Sequence, residues 1–505
     1  MRQAGRATAR LLHAEMNPAI GGRMLSRLLL AVLLFHLQAG GNYFGTNSRK
    51  DDQCFCKLKG SVDDCACNVD TVDHFNNMRI YPRIQSLLVR DYFRFYKVNL
   101  KQDCPFWADD SKCAIRYCHV LPCQDGDIPE GLKGDVARDS HLDESPVDKY
   151  KANAQITDCR HSAKDHNIEL GYLNTTISSE NYKEFERWQQ HDDAQDNFCV
   201  KESSPGEYVD LLLNPERYTG YKGFSAHRIW RSIYMENCFR PENSPHIFIQ
   251  SSKMNGKSCT ASTPFFFDVM SYGIRMCLEK RVFYRVISGL HTSINTHLCS
   301  KYLLVPQDSL QVAPDNQWGP NLDELERRFS PETTGGEGPS WLKNLYFTYL
   351  LELRALAKAA PYLEREEYYT GNEVEDKDTR LAMNDILNVV RSFPVHFNET
   401  VMFTGGAEAQ LLKEEFRQHF INISRIMDCV GCDKCKLWGK LQIHGLGTAL
   451  KILFSGKFDK WESTLNNLNR KLFVLERSEI VALVNAFGRL SESIFELDGF
   501  RRMMR

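Results

Sequence analysis

From about residue 180 onward, apolar side chains recur at three- and four-residue spacings in segments 180–190, 226–237, 266–304, 321–329, 342–359, 379–391, 408–427, 435–453 and 478–497. That period predicts helices that each bury one face. Stretches rich in Gly and Pro, such as Ser330 to Pro339 and Gly371 to Asp378, read as the connections between them. Strand signals are sparse, and no internal repeat, heptad array or low-complexity tract interrupts the pattern. The expected fold is mainly α: one helical domain, with a polar connecting region rich in Asp, Lys and Ser between about residues 124 and 180.

The N-terminal arm differs. Arg23 and Arg27 precede an apolar run from Leu28 to Phe35, followed by Ala39, Gly40 and Gly41. That order reads as a secretory signal, so residues 1–41 are expected to be a signal peptide with an N-terminal extension, Met24 being an alternative start. The run is too short to span a bilayer, and no later stretch of about 18 uncharged apolar residues follows. The mature chain, 42–505, is expected to be soluble or peripheral on a membrane face. Its end, Arg501 to Arg505, carries no KDEL-type retrieval signal, so retention would fall to a partner. Sequons at Asn174, Asn398 and Asn422 fit a secretory route and are candidate glycosylation sites.

Charge excludes one class of partner: the formal net charge of −2 gives no footprint for a polyanion such as nucleic acid. Cysteine content says more. Seventeen cysteines in 505 residues imply an oxidising compartment and a disulfide framework, and the odd number leaves at least one thiol over. In CFCKLKGSVDDCAC, an antiparallel hairpin sets Cys56 opposite Cys65 and Cys54 opposite Cys67, which gives two nested structural bridges. A four-cysteine zinc site is the rival there, but its ligands usually come as C-x₂₋₄-C pairs. No metal site is expected.

A second cluster holds Cys104, Cys113, Cys118 and Cys123, and a third, CVGCDKC, holds Cys429, Cys432 and Cys435 just ahead of a helical segment. A C-x-x-C at a helix N-terminus is poised for exchange, because the helix dipole and the nearby Lys434 and Lys436 favour the attacking thiolate. Three cysteines at equal spacing cannot all pair locally. One must reach elsewhere. A thioredoxin-like dithiol at about −270 mV loses roughly 4 kcal/mol in oxidising an isomerase-like couple at about −180 mV, so a net oxidase needs a stronger acceptor, such as a flavin reoxidised by oxygen. GLGTAL at 445–450 lacks the third glycine of the dinucleotide fingerprint and follows a helix, so such a flavin would sit in a helical pocket.

CVGCDKC, NPERYTGYKG (Asn214 to Gly223), ISGLH (Ile287 to His291), NISRIMDC (Asn422 to Cys429) and GLGTALKILF (Gly445 to Phe454) resemble the endoplasmic reticulum oxidoreductins. These are FAD-dependent sulfhydryl oxidases of the lumen that reoxidise protein disulfide isomerase and related thioredoxin-fold proteins and deliver the electrons to molecular oxygen as hydrogen peroxide. The likeness runs from about Gln53 to the C-terminus. CDKC, and Cys299 within THLC, are more similar to the beta-type vertebrate paralogue than to the alpha type.

The resemblance implies a helix bundle holding FAD behind the cysteine-rich N-terminal hairpin arm of 54–67, with a shuttle and regulatory loop at 104–180 and the FAD-binding core at 181–505. It implies Cys432 and Cys435 as the dithiol beside the flavin and Cys113 with Cys118 as the shuttle pair. Structural bridges would join Cys104 to Cys429 and Cys238 to Cys277, in addition to 54–67 and 56–65. Regulatory bridges would join Cys113 to Cys159 and Cys118 to Cys123. Flavin contacts fall on Arg217, Thr219, Trp230, Ser288, His291 and Arg328; guanidinium groups suit a pyrophosphate and an indole suits a stacked ring. One position departs: where the family reads GEGPRRLKNLYF, this chain reads GEGPSWLKNLYF, so Trp341 replaces an arginine of the flavin set and Lys343 is its nearest basic substitute. Two rival readings remain. A non-catalytic, cysteine-rich secreted binding module would leave CVGCDKC without a purpose, and a thioredoxin-type isomerase would need a βαβ setting around its C-x-x-C that this chain lacks.

Overall fold

The computed structural model describes residues 69–105, 118–133, 206–217, 224–236, 278–304, 317–394, 397–404, 407–455, 458 and 473–504. The hairpin at 54–67, the segment 180–190 and the first part of 266–304 lie outside these residues.

The chain enters through α1 (Val69–Phe75), a π-helical turn (Asn76–Ile80) and α2 (Tyr81–Leu88), none of which the spacing analysis singles out. Helices α3 (Phe224–Met235), α4 (Leu278–Ser300), α5 (Leu322–Phe329), α6 (Gly338–Leu363), α7 (Glu373–Arg391), α8 (Ala407–Ile426), α9 (Asp433–Phe454) and α10 (Arg477–Met503) follow. Several start on a residue that satisfies exposed backbone N–H groups. Asn321 accepts from Glu324 N at 3.0 Å, Asn372 accepts from Val374 N at 3.1 Å, and Glu476 with Glu479 closes a reciprocal box at the start of α10. Among the described residues the strands form two antiparallel pairs, β1 (Phe95–Val98) with β2 (Glu207–Asp210) and β3 (Tyr302–Leu303) with β4 (Trp318–Gly319).

Helices α4, α6, α9 and α10 form the core: α9 lies along α10, α4 along α6, and each pair meets the other. Close approach depends on two glycines. A Cβ at Gly289 of α4 would collide with Thr348 Oγ1 and the Asn344 carbonyl of α6, and one at Gly445 of α9 would collide with the backbone of Ala482 and with Ala486 of α10. Between these crossings the contact is filled by fully buried Leu345, Tyr349, Leu441, Leu450, Leu483 and Phe487. Side chains of this size each contribute roughly 1.5–3 kcal/mol on burial. The first and last described helices are tied together by a buried network in which Arg501 pairs with Asp73, and the Tyr346 hydroxyl donates to Asp73 at 2.6 Å.

Glu352, inside α6, is fully buried, and neither carboxyl oxygen has a hydrogen-bond partner among the described residues. Burial pushes its carboxyl well above its ordinary value of 4.5. The folded state therefore keeps a proton that the unfolded chain releases above pH 4.5. Stability contributed by this group is complete below that pH and falls as pH rises toward the folded-state pKa, at about 1.4 kcal/mol per pH unit. Glu352→Gln removes this slope. The variant should be more stable than the parent at pH 7, with the gap shrinking toward pH 5. Denaturant titrations at both pH values check it, and parallel slopes would show that the carboxyl is ionised in the fold.

Candidate active site

Cys432 is the N-cap of α9, in extended conformation, and its Sγ accepts from Cys435 N at 3.4 Å. The C-x-x-C therefore spans the first turn, with both thiols buried in the core. Cys432 Sγ lies 2.7 Å from Cys435 Sγ on one side and 2.8 Å from Cys118 Sγ on the other. Three sulfurs from two distant segments are thus in file. Cys432 and Cys435 are free thiols, whereas Cys118 is disulfide-bonded.

The two thiols differ electronically. Cys432 is held below its ordinary pKa by the hydrogen bond from the Cys435 thiol, with support from the backbone N–H groups of Cys435 and Lys434. Burial pushes Cys435 well up, and the Cys432 sulfur adds to the shift. Cys432 is accordingly the more acidic thiol of the pair and Cys435 the less acidic. Of the two expected lysines only one faces the thiols: Lys436 Nζ turns away to the Leu100 carbonyl at 3.2 Å, whereas Lys434, lowered by burial and by Arg217, still interacts electrostatically with Cys432. Helix-start N–H groups add their support.

Local pairing brings Cys118 to this place. Residues 118–123 run along the outer edge of β2, where Pro122 bridges Val209 and Cys123 N donates to the Tyr208 carbonyl at 2.8 Å. Asn214 then clamps the segment, accepting from Leu121 N at 2.8 Å and donating to its carbonyl at 2.9 Å. Its own carbonyl accepts from Trp438 Nε1 of α9 at 2.9 Å. Behind α9, Cys429 is bonded to Cys104, the pair that the resemblance implies, and the neighbouring Asp428 forms a buried ion pair with Lys440 at 2.6 Å.

A second group of side chains gathers where α3, α4 and α5 meet. Trp230 stacks on His291 with ring centroids 3.6 Å apart, and the Tyr234 hydroxyl meets His291 Nδ1 at 2.9 Å. Burial, with the nearby Arg328, lowers His291 to about 3, so its imidazole is neutral. Arg328 bonds Glu324 at 2.7 Å and also Asn295, while Ser288 accepts from Asn344 Nδ2 at 3.0 Å. Arg217 extends over the Trp318 ring at 5.0 Å. Next to it, Glu216 is buried against Arg489 at 2.9 Å and Gln442 at 3.1 Å, and burial raises its carboxyl to about 7. The charge of Glu216 acts on Cys435, and Arg217 acts on Lys434, so this loop adjoins the thiols.

Two guanidinium groups, a stacked aromatic pair and a buried hydroxyl are side chains whose chemistry suits a flavin dinucleotide: cations for its pyrophosphate and ring faces for its heterocycles. At 3.6 Å the Trp230–His291 stack leaves no thickness for a third ring, so a bound ring uses the outer face of Trp230 or parts the pair. Trp341, in place of the family arginine, is a core side chain only 2% exposed, and Lys343 beside it is half-buried.

The family model for Endoplasmic Reticulum Oxidoreductin 1 (ERO1) matches residues 79–497. The chain belongs to that family. It is 52% identical over 499 residues to the Ero1-like protein of Drosophila melanogaster, covering 95% of this chain and 97% of the relative. Identity to human ERO1-like protein alpha is 47% over 463 residues, covering 90% and 92%. The solved structure of Ero1p, described as the source of disulfide bonds for oxidative protein folding in the cell, superposes with a TM-score of 0.52 at 28% identity, over 86% of this chain and 97% of that one. As an oxidoreductin, this chain is a disulfide-generating oxidoreductase of oxidative folding, in a family of FAD-dependent sulfhydryl oxidases of the endoplasmic reticulum. No helix among the described residues is long and apolar enough to cross a membrane.

Several site expectations lie outside the described residues: Cys54, Cys56, Cys65, Cys67, Cys113, Cys159, Cys238, Cys277, Thr219 and Asn174. In this state Cys123 is a free thiol, pushed up to about 11 by burial and then by Asp210, and the regulatory bridge from Cys118 to Cys123 is open. One other expectation needs correction. Asn422 is fully buried, its Nδ2 donating to Glu236 at 3.0 Å, so the folded protein offers no room for a glycan there. Asn398, by contrast, is exposed at the start of a short turn. Sequence reasoning missed Asn214, Glu216, Tyr234, Asn344 and Gln442. The NPERY motif held the signal for the first two, but polar residues buried for positioning look in sequence like ordinary surface residues.

Proposed function

We propose that the oxidoreductin takes electrons from reduced protein disulfide isomerase at Cys113 and Cys118, passes them through Cys432 to Cys435, and delivers them to FAD and oxygen. The observation that carries this reading is the file of sulfurs Cys118, Cys432 and Cys435 at 2.8 and 2.7 Å. Exchange balances as follows. The Cys118 thiolate attacks Cys432 of the Cys432–Cys435 disulfide, the S–S bond breaks, and Cys435 leaves as a thiolate that is then protonated. Cys113 next attacks Cys118, which closes the shuttle disulfide and returns Cys432 as a thiolate. A bonded Cys118 facing two free thiols is the state this second step leaves.

Arg217 and Arg328 would hold the pyrophosphate of FAD, Trp230 and His291 a ring, and Ser288 a polar edge, with Thr219 as a further contact. When bound, FAD accepts the two electrons of the dithiol and yields them to oxygen as hydrogen peroxide. A neutral His291 can donate or accept one hydrogen bond there without adding charge. The purified chain should be yellow, with one FAD per chain. With reduced isomerase it should consume oxygen and release one peroxide per disulfide formed. A colourless protein, or oxygen uptake without disulfide formation, would overturn the reading.

The same thiols supply a brake. Bridges from Cys113 to Cys159 and from Cys118 to Cys123 would each remove a shuttle thiol until reduced isomerase reopens them. At a pKa of about 11, Cys123 is mostly protonated at neutral pH and its thiolate is a poor leaving group, so both closure of the bridge by Cys123 and reopening that expels it would be slow. Replacing Cys123 and Cys159 together by Ala should abolish the activation lag in stopped-flow oxygen traces while leaving the flavin spectrum alone. A persistent lag in folded protein would remove the brake from the scheme.

A further inference from the structure

Helix α3 carries Trp230 and Tyr234, which both meet His291, and among the described residues its main neighbours are α4 and α8. Ile229 and Ile233 supply its buried apolar contact. Such contact is non-directional, so it holds a helix down without fixing its rotation. The directional contact comes from Glu236, directly after Met235, the last residue of α3. Its Oε2 lies 2.6 Å from His419 Nδ1 of α8 and accepts from Asn422 Nδ2 at 3.0 Å. On the other side of the imidazole, His419 Nε2 faces Glu415 Oε1 at 3.7 Å. Glu236 and His419 are both closed off from solvent, with side chains 4% and 3% exposed.

Burial alone would lower the His419 imidazole, but its hydrogen bonds to Glu236 and Glu415 outweigh burial and raise it to about 9. The ring is therefore an imidazolium at neutral pH, with its two N–H groups directed at carboxylates. A carboxylate at the C-terminal end of a helix opposes the helix dipole, so Glu236 is held by His419 and not by α3 itself. Buried ion pairs of this kind contribute little net stability, and their best-attested use is to fix register. Helix α8 runs on through the turn Met427–Cys429 to Cys432, and Phe283 of α4 sets its ring edge-on to His419 at 6.3 Å. The pair thus joins the helix of Trp230 to the helix that leads into the dithiol. We propose that Glu236 and His419 are positioning residues, which fix the rotation of α3 against α4 and α8 and so hold Trp230 and Tyr234 on His291. The inference rests on the assignment of Trp230 and His291 to the flavin.

Glu236→Gln keeps the size of the side chain and an acceptor oxygen for Asn422, and removes the charge that His419 faces. In the full chain it should weaken FAD retention at least about tenfold and shift the visible flavin band of the fraction still bound. His419→Gln should do the same, and the double variant should lose no more than the worse single, because the two act as a unit. Asp73→Asn is the control. It breaks a buried pair with Arg501 between the first and last described helices, so it should lower the melting temperature while leaving FAD retention and the band as in the parent. Parental retention and spectrum in both Glu236→Gln and His419→Gln would overturn this inference alone. So would FAD loss in Asp73→Asn equal to theirs, because retention would then follow overall stability. A parent chain without FAD would overturn the flavin assignment, and this inference with it.

Discussion

Replacing Cys435 by Ala should lower oxygen consumption with reduced isomerase by at least about a thousandfold, the order lost when one member of a unit of catalytic groups is removed. Flavin should remain bound, because Cys435 lies among apolar neighbours in the first turn of α9 and Ala leaves that turn intact. What accumulates distinguishes this loss from a general one. Without Cys435, the Cys432 sulfur keeps its support from the N–H groups of the helix start and still faces a bonded Cys118 at 2.8 Å. It should attack Cys118 of the shuttle disulfide, expelling Cys113 as a thiolate, and populate a Cys118–Cys432 mixed disulfide that Cys435 can no longer resolve and only return attack by Cys113 reopens. Peptide mass analysis without reduction detects that link. Cys432→Ala should be equally inactive and carry no such link. If Cys435→Ala turned over at near-parental rates, the electron path would not run through it.

Much of the fold was legible because long amphipathic helices advertise themselves. The spacing at 435–453 and 408–427 gave segments whose observed limits, Asp433–Phe454 and Ala407–Ile426, differ by one or two residues. Short elements were not legible. Tyr81–Leu88 begins with Tyr-Pro and follows a π turn, and it is held by packing under α10 more than by its own pattern. β1 has only four residues, too few for alternation to stand out, and its partner β2 lies more than a hundred positions away. The thiol chemistry at Cys432 could be inferred from C-x-x-C ahead of a helix, yet its full cause could not. Of the two lysines nearby in sequence, the folded chain points Lys436 elsewhere. Buried sequons fail for a related reason: Asn422 matches the acceptor triplet locally, and only packing against Glu236 shows that it is inaccessible.

Gly289→Val should unfold the core crossing and release the flavin together. A Cβ at this position meets Thr348 Oγ1 and the Asn344 carbonyl, and neither can yield easily. Thr348 is fixed by donating to Asn344 O at 2.9 Å, and the Asn344 carbonyl is part of the α6 backbone. Helix α4 must therefore move away from α6 along a contact that is buried over most of its length. Overpacking of this kind costs about 1–3 kcal/mol, and the opened interface adds to it. The displacement also breaks the bond from Asn344 Nδ2 to Ser288, one residue before Gly289, and shifts His291, two residues after it, away from Trp230. Both are proposed flavin contacts, so FAD should dissociate on dilution and the melting temperature should fall. Gly445→Val separates the two effects, since its Cβ strikes Ala482 and Ala486 of α10 and leaves the Ser288–Asn344 bond untouched. It should destabilise the protein comparably while retaining more flavin. Gly126→Ala, where a Cβ meets nothing within 4 Å, serves as the neutral control. Flavin release by dilution and thermal melts on the three proteins check the prediction, and equal flavin retention in the Gly289 and Gly445 variants would detach the cofactor from the α4–α6 crossing.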